Sequence, residues 1–143
     1  MTTIVRAVSV DRTRSRQTII AATGREQHVN AEVLATMPLL EGSGGTELVL
    51  LYAFPIERSL TPDEWDAELA SRGLVPDFAA IAALNEQDPG FADLHPNGAQ
   101  WRNVEAHACF LTFDRWNGNR SVVCERNEGP WRLRWWAVGS LVS

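Results

Sequence analysis

Lysine is missing from this chain of 143 residues: all 13 basic residues are arginine. That excludes a catalytic lysine, a Schiff base and the lysine of a phosphate-binding loop. Cysteine is scarce. Cys109 and Cys124 are too few for a disulfide framework, and both are expected to be thiols in a reducing compartment. No apolar run approaches the roughly 18 residues that span a bilayer. The longest, Leu48 to Pro55, has the length of a strand. The start, "MTTIVRAVSVDRTRSR", lacks a basic end followed by an apolar block and a small-residue cleavage site. No signal peptide and no membrane association are therefore expected, and the expected location is cytoplasmic. Neither C-x-x-C nor H-E-x-x-H occurs, and "GSGG" at 42–45 lacks the spacing of a dinucleotide fingerprint.

The composition is that of a folded chain. Hydrophobic residues make up 45%, and the length suits one domain over residues 1–143. The net charge of −5 is unevenly spread. Residues 1–30 carry five arginines against two acids, residues 31–100 twelve acids against two arginines, and residues 101–143 six arginines against four acids. An acidic middle between basic ends is either a field that steers a basic partner or a set of solvated helix faces.

"TTIVRAVSV" and "QTIIAAT" are rich in β-branched residues and read as two antiparallel strands joined by "DRTRSR". The alternating Arg12, Arg14 and Arg16 would form a solvated tip. "HVNAEVLATMPLLE" fits either a strand or a short helical turn. "TELVLLYAFP" is apolar on both faces and reads as a central strand. In "SLTPDEWDAELASRGL", Thr61 is an N-cap, Pro62 sits at the first helical position and Glu64 completes a capping box. Gly73 supplies a left-handed ending. A second helix starts at Asp77 and has no polar side from Phe78 to Leu84.

After Trp101 the pattern returns to strands. Asn117-Gly118 is the preferred pair for a type I′ hairpin turn. It sets Trp116 opposite Asn119, Phe113 opposite Val122 and Leu111 opposite Cys124. "WRLRWWAVGSLV" then reads as a third strand. The expected fold class is α+β: an antiparallel sheet, two central helices packed on one face, and a C-terminal three-stranded meander.

The loop "FADLHPNGAQW" gathers Asp93, His95, Asn97 and Gln100. With Cys124 it holds the residue types of a nucleophilic or metal-assisted site, which makes a small hydrolase or metal-dependent enzyme one reading. Asp93, His95 and Cys124 would be its catalytic residues. The other reading is structural: Asp93 accepts local N–H groups, Pro96-Asn97-Gly98 turns, and His95 ties the turn to the sheet. The second is the expectation, with no metal and no cofactor. Adjacent Trp135 and Trp136 must point to opposite faces, so one lies under helices and the other under an arginine or a partner. The expected partner-binding residues are Asp63, Asp66, Glu68, Arg132, Arg134 and Trp136. Arginine–tryptophan interleaving suits stacking. The net charge makes a protein with a basic surface the expected partner rather than a nucleic acid.

The block from "LTPDEWDAELASRGLVP" through "ALNEQDPGFADLHPNGAQW" to "FDRWNGNRSVVCERNEGPWRLRWW" resembles uncharacterised short proteins of bacteria, their phages and other mobile elements. The resemblance implies no catalytic residue. It implies a context in which small acidic proteins bind other macromolecules, as inhibitors of host defence or nucleic-acid-handling complexes, as immunity proteins, or as virion components.

Overall fold

The computed structural model describes residues 2–40 and 44–142. Glu41, Gly42 and Ser43 lie outside the described residues, so the expected loop at 42–45 is described only from Gly44.

The elements run β1 (Ile4–Asp11), α1 (Arg16–Ala21), β2 (Glu26–Val29), α2 (Ala31–Leu34), β3 (Thr46–Pro55), α3 (Pro62–Ser71), β4 (Leu74–Val75), α4 (Phe78–Gln87), α5 (Phe91–Leu94), β5 (Asn97–Arg102), β6 (Ala108–Trp116), β7 (Asn119–Arg126) and β8 (Trp136–Leu141). The sheet order is β1-β3-β8-β5-β6-β7-β2, and β4 pairs with β8. The α+β class holds, but the sheet is mixed: β2 lies parallel to β7, and β5 parallel to β8.

The helices cover both faces of the sheet, not one. On one face, α1, α2, α4 and α5 pack on Val8, Val10, Leu51, Ala99, Trp101, Leu111, Phe113 and Val138. On the other, Trp65 and Leu69 of α3 pack with Phe54, Ala137 and Trp131. Sequence period explains the split. Along α4 every side chain from Phe78 to Asn85 is buried, so it lies deep under the larger layer. α3 buries only Trp65 and Leu69 and keeps a wet side.

Local signals behave as their chemistry requires. Thr61 accepts from the Glu64 amide while the Glu64 carboxylate accepts from the Thr61 amide, and Gly73 takes φ of 69°. Asn117 and Gly118 both have positive φ, and all three anticipated cross-strand pairs of the β6–β7 hairpin are present.

Three further expectations are corrected. "QTIIA" is helical, not a strand: Ser15 accepts from the Thr18 amide and caps α1, and Ile19 and Ile20 enter the core. β1 pairs with β3 instead. The C-terminal meander does not form, because β8 is inserted between β3 and β5, away from β7. Its strand starts only at Trp136, since Arg132–Trp135 make a turn with Arg134 at φ of 146°. Finally, Asn97 and Gly98 belong to β5 rather than to a turn. Gly98 is there for space: a Cβ would stand 2.6 Å from the Leu111 carbonyl oxygen.

Candidate binding surface

The quoted loop resolves into a structural junction. Asn85 and Asn97 are wholly buried and exchange amide hydrogen bonds, Asn85 Nδ2 to Asn97 Oδ1 at 2.9 Å and the reverse at 3.1 Å. Asn85 Nδ2 also donates to the Ile81 carbonyl, and Asn97 Nδ2 to that of His95. The pair joins α4 to the first residue of β5. Asp93 does not accept the local amides that the sequence reading expected. It accepts from Arg120 at 2.8 and 3.1 Å and from Arg115 at 3.4 Å, which holds its carboxyl below the usual range.

The three candidate catalytic side chains do not meet. The His95 ring packs between Phe91 and Trp136, with centroids at 5.0 and 4.5 Å. Its Nδ1 is buried and makes no hydrogen bond, so the imidazole meets the sheet by ring packing on Trp136 of β8. Burial pushes its pKa down, and nearby Arg6 adds to this. Cys124 lies on β7, two strands from β5, or roughly 10 Å sideways at ordinary strand spacing. It is buried among apolar residues, which pushes its thiol up to about 12. A thiol so placed is a poor nucleophile. Among the described residues no group of three His, Cys, Asp or Glu side chains is placed to hold a metal ion.

The proposed partner residues fall on two surfaces. Arg102 of β5 engages Asp63 at 2.7 Å and Asp66 at 3.3 Å. Asp66 also accepts from Gln100, while Glu68 faces Arg72. Trp136 is half-buried on the larger core layer, against His95.

Arg132 and Trp135 belong to the opposite face, where they line a cleft beside a cluster of aromatic side chains, with Arg134 between them in the chain. Its floor is Trp131. This ring stacks on Trp65 with centroids 3.8 Å apart, and Phe110 and Trp135 stand nearly edge-on to it at 6.0 and 5.8 Å. The indole N–H of Trp131 donates to Gln100 at 2.8 Å, and the Gln100 amide donates to the Pro62 carbonyl and to Asp66. Each polar atom on the buried side of the floor is therefore held. Thr112, Asn127, Pro130 and Arg132 complete a cleft of about 180 Å³.

Between the two lining residues Arg132 and Trp135 the chain makes a strained turn. Arg134 has φ of 146°, a conformation costly outside glycine. It places the guanidinium 4.8 Å over the Trp135 ring and 3.1 Å from Asp114. Leu133 beside it is 60% exposed, and Arg132 has no carboxylate within ion-pair distance among the described residues. Rigid aromatic walls, an unpaired cation and an exposed leucine suit the seating of an apolar anchor. None of the residues lining the cleft is an acid, a histidine or a cysteine. General acid–base chemistry has no group to work with there.

Sequence reasoning picked out Arg132, Arg134 and the tryptophan pair but missed Phe110 and Leu133, and it placed Gln100 in the polar loop rather than beneath Trp131. Gln100 carried a usable signal, a polar side chain in a strand between apolar neighbours. No known protein family, curated protein or solved structure matches this chain.

Proposed function

We propose that this chain is a small non-catalytic protein that binds a macromolecular partner through the cleft at Phe110, Trp131 and Trp135. The observation that carries the reading is the cleft's make-up. It has aromatic walls, an arginine lip and no acid–base group. The contact surface favoured here is thus not the acidic helix face, since Asp63 and Asp66 are engaged by this chain's own Arg102. An apolar side chain of a protein partner would enter the cleft, with a carboxylate beside it facing Arg132. The narrower form of the proposal, an inhibitor of a host defence or nucleic-acid-handling complex, is supported by the sequence resemblance alone.

The test compares immobilised wild-type protein with Leu133→Asp and Arg132→Glu variants in a cell lysate. Both side chains are exposed, so the fold should survive both changes. A partner retained by the wild type and lost from both variants supports the reading. Equal retention by all three proteins would remove the cleft from consideration.

A further inference from the structure

A second surface, on the far side of α3, has a different character. Along β1 and β3 the register is unbroken from Ile4–Ala53 to Asp11–Thr46. The Ser9 backbone bonds outward to the Gln87 side chain through both its N–H and its carbonyl, so it is not bonded to β3. Ser9 faces Leu48 and Ala7 faces Leu50. By the alternation of an antiparallel ladder, the backbone groups of Leu48 and Leu50 then point away from β1. On that side β8 pairs with Tyr52 and Phe54 and then leaves. Its end is drawn off by β4, which pairs with Ser140 and Leu141, and by the Val142 amide donating to the Gly73 carbonyl. Gly139 permits this crossing, since a Cβ there would meet the Val75 carbonyl oxygen at 2.8 Å. Among the described residues, Leu48 and Leu50 have no backbone partner on the vacated side.

The split leaves a groove of about 600 Å³. Leu48 is 74% exposed, Leu50 50%, Leu141 56% and Val142 62%, and all four line it. Exposed aliphatic side chains beside unpaired strand backbone are what native sheets ordinarily cover or block. No proline or bulge blocks this stretch of β3. At one end Arg12, Glu47 and Asp77 form an ion-pair cluster with one negative charge in excess.

We infer that this groove accepts an extended segment of a partner protein, which adds to β3 beside Leu48 and Leu50 in the place β8 vacates. The geometry defines its chemistry. Running antiparallel to β3, the residues opposite Leu48 and Leu50 bond to their backbone and lay side chains over the exposed leucines, so they are aliphatic. The residues between them point to the other face, toward Glu47 and Asp77, so they are basic. This site is separate from the aromatic cleft, and either stands if the other fails.

The probe is a labelled, acetylated and amidated peptide that alternates valine with lysine, followed by fluorescence anisotropy. Saturable binding is expected, weakened about tenfold or more by Leu50→Asp. Leu48→Asp, at the most exposed of these positions, serves as a second variant and should act alike with an unchanged unfolding midpoint. N-methylation of the valine amides, which face β3, should abolish binding, whereas N-methylation of the lysine amides should spare it. A peptide alternating valine with glutamate should bind more weakly. Absence of saturable binding, or indifference to the position of the N-methyl groups, overturns the inference. So does sedimentation showing self-association that Leu50→Asp abolishes, because a second copy of this chain would then be the occupant.

Discussion

His95 shows how one side chain can look reactive in sequence and serve packing in the fold. Its ring is held between Phe91 and Trp136, and its Nδ1 lacks a partner. Burial and Arg6 push its pKa below the ordinary value of 6.5, while Asp88 opposes the shift. The folded state thus prefers the neutral ring and binds fewer protons than the unfolded chain. The stability this supplies is present above the unfolded pKa and is lost as pH falls through that value toward the lower folded one. The drop in urea midpoint between pH about 7.5 and 5.5, either side of the free imidazole value, should therefore be smaller in His95→Gln than in the wild type. An equal drop would assign the acid sensitivity to other groups. Gly98 makes a steric counterpart. Its missing side chain leaves room for the Leu111 carbonyl, so Gly98→Ala should cost about 1–3 kcal/mol. Gly129→Ala, where a Cβ meets nothing within 4 Å, should be close to neutral. Paired urea titrations of these two variants decide the matter.

Elements were legible where their cause is local. The capping box of α3 and the Asn117-Gly118 turn are each written within a few residues, and the turn alone determines the β6–β7 register. Thr61→Ala removes one half of the box and should lower stability by about 1 kcal/mol with the denaturant slope unchanged. An unaltered midpoint would mean that packing of Trp65 and Leu69, rather than the cap, holds the first turn. Elements were misread where distant partners decide. "QTIIA" has strand-like composition, yet Ser15 caps it and Ile19 and Ile20 face the core as a helix. The start of β3 reads as buried on both faces because the unbroken apolar run Leu48 to Pro55 follows Glu47. Leu48 and Leu50 are nevertheless exposed, because β8 departs and α3 covers the sheet only farther along. The aromatic cleft was half legible. Its tryptophans and arginines stood out, but Phe110 joins them only because β6 lies beyond β5 from β8, a pairing order that no short stretch encodes.

At the scale of the molecule, part of the charge segregation along the chain is used in cross-links. The basic N-terminal segment meets the acidic middle. Arg14 reaches Glu86 at 2.8 Å, and Arg12 forks onto both carboxylate oxygens of Asp77 at 2.8 Å while its Nε donates to Glu47 at 2.7 Å. These arginines were expected at a solvated tip. Instead Arg12 binds β1, β3 and the start of α4 together, and Arg14 reaches the last turn of α4. Asp77 also caps α4 by accepting from the Ala80 amide, so it carries two duties in a nearly dry site. Arg12 is held above its ordinary pKa, chiefly by the hydrogen bonds to Asp77. Removing one partner of such a pair strands the other charge. Arg12→Met should therefore destabilise by about 3–5 kcal/mol. Asp77→Asn should cost less, because an amide oxygen still caps the helix. Adding Asp77→Asn to Arg12→Met should restore part of the loss, since no buried carboxylate is then left unpaired. Urea midpoints of the four proteins give the coupling directly. Strictly additive losses would show that Arg12 acts through Glu47 and its own packing, and that the ion pair with Asp77 is not what fastens α4 to the edge of the sheet.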